Sequence, residues 1–241
     1  MILPYLLKNS DLSGLLRFVT PNFLKVVPLS VLLKLGTRLK QNQADHAAWE
    51  SLLAHSTAVV KTAGLNSLGP SSRNFGEGVL TLFFHQILQE ETWILDFRAA
   101  AFAARSDEGI SSLNWQPEGY YYRFPPDFVK DIRSLYCGFY LSNDSQFEEA
   151  LQGLGLILAK KSLKRHFGEG DQSRVEFKLK TFQSTFADVF ETCASEKIQL
   201  RPEFFVLGLM LIGLYETLEG LGLPLDVRGS FMLALQKAQK P

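Results

Sequence analysis

The sequence predicts a mostly α-helical protein: one helical domain over residues 1–241, with at most a small two-stranded β element near residues 92–124. Apolar residues recur at three- and four-residue spacing through most of the chain, which is the period of an amphipathic helix. Short aromatic and β-branched runs bounded by turn residues, the pattern of strands, occur near residues 92–124. The length of 241 residues and the hydrophobic content of 46% are typical of one large globular domain.

The N-terminal segment, residues 1–40, is basic as well as apolar, and it packs on or flanks the domain. It holds six Lys or Arg side chains against Asp11 alone, a net charge of +5, and the neutral chain therefore carries −5 elsewhere. Prolines at Pro4, Pro21 and Pro28 divide it into short pieces. Two interpretations stay open. The pieces either lie as amphipathic helices on an anionic membrane surface, or pack on the body of the protein with solvated lysines.

Two helices separated by a loop are predicted next. Residues 45–65 have one apolar side and end near Gly64. The Gly, Pro, Ser and Asn content of residues 66–78 predicts a loop. Residues 79–91 again place apolar side chains at three- and four-residue spacing, which predicts the second helix.

The predicted β element consists of two extended segments. Residues 92–98, TWILDFR, are aromatic and β-branched and predict a strand of about five residues. Residues 111–126 contain three consecutive tyrosines and are predicted to be a second extended segment that pairs with the first.

The rest of the chain is predicted to be helical. Pro125 and Pro126 introduce a helix that runs to residue 140, because proline is favoured at a helix start. Further helices are predicted over residues 145–157, over residues 175–193 after a loop at 166–173, from Pro202 to about Leu221, and in a short tail.

Several features bear on the cellular compartment. The longest uninterrupted apolar run, residues 204–215, is too short to span a bilayer and favours a buried core helix. The first residues lack a cationic region and a cleavage site, so no signal peptide is predicted. Cys137 and Cys193 lie in apolar helical patterns and are expected to be free thiols. We therefore expect a cytoplasmic protein, bound peripherally to a membrane if the basic segment contacts lipid.

No established catalytic or metal-binding pattern occurs in the chain. GxSxG, the Walker-type phosphate loop and HExxH are all absent. His46 and Glu50 are one helical turn apart, but His55 lies on a different face and no second pair completes a metal site. His166, Glu169 and Asp171 share a glycine-rich loop, which we interpret as a polar turn with a helix cap. We predict no catalytic residue, no metal, no cofactor and, because the chain is neutral, no nucleic-acid partner.

A hydrophobic ligand is the binding partner that the composition favours. The 19 Phe residues indicate a large aromatic core or an apolar cavity. Gly208 and Gly213 each destabilise an apolar helix by about 1 kcal/mol relative to Ala, so each needs close packing or leaves room for a ligand. The predicted ligand-binding residues belong to the two helices rich in Phe and Gly: Phe182, Phe186, Phe190, Phe205, Gly208, Leu209, Ile212 and Gly213.

The order of features after residue 90 is similar to that of a known family. A short strand contains Leu-Asp-Phe with Asp96, and the later signatures are Asn143-Asp144, Pro202-Glu203 and Leu218-Glu219-Gly220. Over about 130 of the 241 residues this succession resembles the C-terminal, helical-lobe half of the UbiB/AarF family of atypical kinase-like proteins. The resemblance implies a fold like the kinase C-lobe.

The departures from that family imply a protein without its chemistry. Arg98 replaces the glycine that follows Asp-Phe, and Asn143 stands in place of a glycine. The catalytic His-x-Asp-Pro-His-Pro-Gly-Asn element, the phosphate loop and the strand-borne lysine have no counterpart, although phosphoryl transfer depends on positioned phosphates and Mg²⁺. Asp96 and Arg98 are then expected to form a structural or surface pair.

Three hypotheses about function follow. The leading one is a non-catalytic protein that binds a fatty-acyl or isoprenoid lipid; the resemblance supports it, because the UbiB/AarF family is implicated in isoprenoid-quinone biology. The second is a degenerate kinase-like enzyme that still binds nucleotide through Asp96. The third is a scaffold that binds a protein partner. The sequence predicts no particular oligomeric state.

Overall fold

The computed structural model describes residues 25–62, 72–105, 112–118, 120–167 and 174–238, and this part of the chain is mostly helical, as predicted. The helices are α1 (Leu29–Ala44), α2 (His46–Thr62), α3 (Ser72–Gln89), α4 (Pro126–Tyr140), α5 (Asp144–Gly153), α6 (Lys160–Phe167), α7 (Leu179–Ser195), α8 (Glu203–Glu219) and α9 (Val227–Ala238). Short 3₁₀ turns lie at Ala99–Ala101 and Ile157–Ala159. Among the described helices, none combines the length and the hydropathy needed to cross a membrane.

The described strands form small antiparallel pairs. Strand β1 (Thr92–Ile94) pairs with β4 (Tyr121–Arg123), with Trp93 opposite Tyr122, so the predicted pairing of these two segments is confirmed. Between them lies a second strand pair, β2 (Phe102–Arg105) with β3 (Ser112–Trp115). Strand β3 lies in the predicted extended segment of residues 111–126, but its partner β2 was not predicted. A third pair joins β5 (Arg174–Val175) to β6 (Leu225–Asp226).

The predicted loop over residues 66–78 is wrong from residue 72 onward, because α3 begins at Ser72. Gly76 and Gly78 are buried inside this helix. A Cβ placed on Gly76 would lie 2.7 Å from Leu221 Cδ1 and 2.8 Å from Leu225 Cδ1. This glycine therefore lets the side chains of Leu221 and Leu225 pack close to the helix, and it does not mark a turn.

The predicted helix over residues 175–193 begins later than expected, at Leu179. Val175 belongs instead to β5, opposite Leu225. Val175 and the buried Phe177 follow the two-residue period of a strand, with Glu176 between them. The helical stripe begins only after these residues.

The N-terminal segment contains a longer helix than its prolines indicated. Residues 29–44 form one 16-residue helix that starts directly after Pro28, consistent with the preference for proline at a helix start. The predictions for residues 1–24 lie outside the described residues.

Helix α6 was not predicted, while the predicted helices at residues 126–140, 145–157 and 202–221 are found with small shifts of their ends.

Aromatic side chains make up much of the core that joins these elements. Trp93 on β1 lies 4.3 Å from Phe124, centroid to centroid, and Phe124 stacks on Phe128 of α4 at 5.4 Å. Toward the C-terminal end of α4, Phe84 of α3 lies 5.4 Å from Phe231 of α9. All five rings are buried. Much of the high Phe content is therefore structural, since each buried aromatic removes a large apolar area from water.

Candidate functional site

The three predicted phenylalanines of α7 lie along one side of that helix. The ring centroids of Phe182 and Phe186 are 4.4 Å apart, and those of Phe186 and Phe190 are 6.2 Å apart. Phe182 is buried and lies 4.6 Å from Tyr215 of α8, centroid to centroid. Phe186 and Phe190 are half-buried. The first turn of α7 therefore packs on α8, while its later aromatic residues lie nearer the surface.

Four predicted residues of α8 share one face, which we call the Gly208 face. Phe205, Gly208, Leu209 and Ile212 follow the three- and four-residue spacing of a helical stripe. Ile212 is buried, and the other three are half-buried. The face is thus an apolar stripe at the boundary between the core and solvent.

Gly208 and Gly213 have different surroundings. A Cβ placed on Gly213 would lie 3.3 Å from Arg98 N and 3.4 Å from Phe97 C, so close approach of backbone explains this glycine. A Cβ placed on Gly208 would meet no heavy atom within 4 Å. The structure therefore separates the two explanations offered for these glycines: close packing applies to Gly213, and open space lies beside Gly208.

Asp96 and Arg98 form the structural pair expected from the sequence. Arg98 Nε donates to Asp96 Oδ1 at 2.7 Å, and Arg98 Nη2 donates to Asp96 Oδ2 at 2.9 Å. The backbone N–H of Glu118 also donates to Oδ2, at 2.8 Å. The Asp96 side chain is 4% exposed, so its charge is compensated inside the fold rather than by solvent.

The Asp96–Arg98 pair lies in a loop, residues 96–98, that helix α8 contacts. Thr217 Oγ1 of α8 donates to Phe97 O at 2.6 Å, and Trp115 Nε1 donates to Asp96 O at 3.0 Å. Gly213 packs on the same segment. Residues 96–98 are therefore fixed by their side-chain pair, by α8 and by β3, and Arg98 occupies the carboxylate oxygens of Asp96 that a metal ion would use.

A cluster of titratable side chains that sequence analysis did not predict joins α2 to α3. His55 Nε2 lies 2.8 Å from Glu90 Oε1. His85, Glu90 and His55 line a cavity of about 10 Å³ together with Ser56 and Trp115, room for about one water molecule. His85 Nδ1 is buried with no hydrogen-bond partner among the described residues. Residues 55 and 90 are far apart in sequence, and only the packing of α2 on the body brings them together.

In the described ranges, no group of three or more His, Cys, Asp or Glu side chains is placed so that it could hold a metal ion. His46 and Glu50 are exposed on α2. Glu169, Asp171 and the side chain of His166 lie outside the described residues.

Burial lowers the pKa of His85 from its ordinary 6.5; Glu90 opposes this shift, whereas His55 and Lys237 add to it. Below about pH 6.5 the unfolded chain binds a proton at His85 that the folded protein resists. The contribution of His85 to stability is therefore present above its unfolded pKa and is lost as the pH falls through its folded pKa.

Between about pH 7.5 and about pH 5.5, we expect the free energy of unfolding of wild type, measured in urea, to fall more than that of His85→Gln. Equal losses in the two proteins would contradict this.

The two cysteines are free thiols, as expected. Burial raises the pKa of the Cys193 thiol to about 11 and raises that of Cys137 as well. Both thiols are therefore protonated near neutral pH and are poor nucleophiles.

Comparisons with known proteins do not place the chain in a family. A scan against family models, a search of curated proteins and a search of solved structures each found no match. The resemblance to the helical-lobe half of the UbiB/AarF family therefore stays a prediction.

Proposed function

We propose that the protein binds a hydrophobic chain, fatty-acyl or isoprenoid, along the Gly208 face of α8. The observation that carries this proposal is the open space beside Gly208. Phe186 and Phe190 of the adjacent helix α7 are half-buried and supply further apolar contact area. The protein acts as a binding protein and performs no chemistry on the chain.

Gly208 and Gly213 lie in the same helix but have different surroundings. Glycine inside a helix destabilises it by about 1 kcal/mol relative to alanine. At Gly213 the nearby backbone of residues 97–98 accounts for that cost, because a side chain would meet it. At Gly208 no such neighbour exists within 4 Å. A ligand chain lying against the backbone of α8 would account for glycine at this position.

The lining chemistry favours an apolar chain over a polar metabolite. Phe205, Leu209 and Ile212 present hydrocarbon surface around Gly208. Burial of apolar area contributes about 25 cal/mol per Å², or about 0.8 kcal/mol per CH₂ group, so a long chain gains affinity from length alone. Nucleotide binding through Asp96 is less favoured, because Arg98 and the Glu118 amide already occupy that carboxylate.

The same proposal includes peripheral attachment to an anionic membrane, where such chains reside. The described part of the basic segment supports it: residues 25–44 contain Lys25, Lys34, Arg38 and Lys40 and no acidic residue. Cationic side chains near a bilayer that contains anionic lipid each contribute about 1 kcal/mol of binding.

The proposal is tested by blocking the space beside Gly208. No heavy atom lies within 4 Å of a Cβ placed on Gly208, so Gly208→Leu is expected to fold. We expect its affinity for a fluorescent fatty acid to fall by about tenfold or more, since the chain loses about 1.4 kcal/mol or more of contact. Fluorescence titration without vesicles measures this, and native mass spectrometry of the purified protein checks for a lipid carried from the cell.

Gly220→Leu is the matched control. Gly220 follows α8 directly, and a Cβ there meets only Glu216 O and Thr217 O, at an ordinary 3.5 Å. We expect its affinity for the fatty acid to equal that of wild type. If wild type binds no fatty acid and carries no lipid, or if both variants bind as wild type does, the proposal is wrong and a protein-binding scaffold becomes the better hypothesis.

A further inference from the structure

Helix α1 has one side anchored to the protein. Leu35 and Leu39 are buried. The Arg38 guanidinium lies 4.7 Å from the centroid of the Tyr122 ring, and Arg38 Nη1 donates to Tyr122 Oη at 3.2 Å. Asn42 Nδ2 donates to Tyr121 O at 3.1 Å. The helix is therefore held on β4 by apolar, cation–π and hydrogen-bond contacts, and its orientation is fixed.

The other side of α1 is both apolar and cationic. Leu29 is 54% exposed and Leu33 is 39% exposed, one helical turn apart. Lys34 and Lys40 are exposed, and α1 contains no acidic residue. We call these four residues the outer face of α1. An aliphatic pair beside lysines is the side-chain combination of an amphipathic helix that lies at a lipid interface.

We propose that the outer face of α1 is the surface that contacts an anionic lipid bilayer. This inference specifies the membrane attachment proposed above and rests on it. Leu29 and Leu33 enter the boundary between headgroups and acyl chains, while Lys34 and Lys40 reach the anionic headgroups. Arg38 is not part of this contact, because Tyr122 already engages it.

The charge distribution selects this partner over an uncharged surface. The chain is neutral as a whole, whereas every charged side chain of residues 25–44 is basic. In the other basic helix, α6, Lys160 and Lys164 form ion pairs with Glu148 and Asp144. Attraction to an anionic bilayer therefore acts on residues 25–44 and orients the protein with α1 toward the lipid. The attraction fades within a Debye length of about 10 Å at 0.1 M salt and about 3 Å at 1 M salt.

The test is sedimentation of the full chain with vesicles of phosphatidylglycerol and phosphatidylcholine, compared with vesicles of phosphatidylcholine alone. We expect binding to the anionic vesicles only, and loss of that binding as salt rises toward about 1 M. Lys34→Glu/Lys40→Glu is expected to weaken binding by about tenfold or more, because two attractive charges become repulsive. Leu29→Gln/Leu33→Gln is also expected to weaken it by about tenfold, through the loss of buried apolar area.

Matched controls are available elsewhere on the surface. Leu158 and Leu233 are 58% and 40% exposed, close to the exposures of the α1 pair, and Leu158→Gln/Leu233→Gln is expected to bind as wild type does. Lys130 and Lys161 are exposed on α4 and α6, and Lys130→Glu/Lys161→Glu controls for net charge. Circular dichroism of every variant checks that it is folded.

Each outcome decides for or against the inference. Weaker binding of the α1 variants to anionic vesicles, with binding of the control variants unchanged, supports the inference. Equal weakening by the control variants, equal binding to neutral vesicles, or no binding of folded wild type at low salt overturns it. A change of oligomeric state in the α1 variants without vesicles, seen by size-exclusion chromatography, also overturns it and indicates a second copy as the partner. Fatty-acid titration without vesicles does not depend on these results. A negative result in vesicle sedimentation therefore does not decide whether the Gly208 face binds a fatty acid.

Discussion

Replacement of Asp96 by alanine is expected to lower the free energy of unfolding by about 3 kcal/mol, because it leaves the Arg98 guanidinium without its bidentate partner inside the fold. The expectation is at the lower end of the range for buried pairs, since the Arg98 side chain is 29% exposed and can turn partly toward water. The Glu118 N–H also loses its acceptor. Chemical denaturation of Asp96→Ala measures the change.

The double variant Asp96→Ala/Arg98→Ala tests whether the two side chains affect stability as a pair. We expect it to be more stable than Asp96→Ala, because the guanidinium that has lost its bidentate partner is removed as well. A loss below about 1 kcal/mol in Asp96→Ala would show that the pair is not structurally important. A Mg²⁺-dependent thermal shift of wild type with ATP that Asp96→Ala abolishes would instead support the nucleotide hypothesis.

Gly138→Ala is expected to destabilise the protein by about 1–3 kcal/mol through overpacking. Gly138 on α4 faces the start of α5, where an added Cβ would lie 2.5 Å from Phe147 N and 2.8 Å from Phe147 Cα. These are backbone atoms next to a buried ring, so neither can move without shifting α5. The resulting strain exceeds the gain in helix propensity of about 1 kcal/mol.

The same substitution at Gly208 is the control, and its effect is expected to have the opposite sign. Gly208 is also inside a helix, but its surroundings are open to 4 Å. Gly208→Ala should therefore stabilise the ligand-free protein by about 0.5–1 kcal/mol. Thermal melting of the two variants side by side decides the matter: destabilisation by Gly208→Ala would show that the space beside this glycine is not open.

Only part of the candidate ligand site could be predicted from the sequence. The positions of Gly208 and Gly213 in an apolar helix identified two unusual residues, because helix propensity is a local property. The sequence could not tell one glycine from the other. Their difference depends on the loop at residues 97–98, which packs against Gly213 and not against Gly208. That loop is more than a hundred residues away in the chain.

The sequence by itself determined the mostly helical class, the helix that begins at Pro126 and the pairing of residues 92–94 with residues 121–123. These features follow from local rules: apolar periodicity, proline at a helix start and β-branched runs between turns. The pair formed by Asp96 and Arg98 was also expected, but from the departures from the UbiB/AarF pattern and not from a local rule.

Only the tertiary structure decided the features that depend on distant neighbours. Gly76 lies in a helix against which Leu221 and Leu225 pack, although its sequence context is that of a loop. His55 lies beside Glu90 because α2 packs on the body. The outer face of α1 is exposed because Leu35 and Leu39, not Leu29 and Leu33, face the core. Such contacts join residues far apart in the chain, and their free energy overrides local propensity, so no local pattern could have specified them.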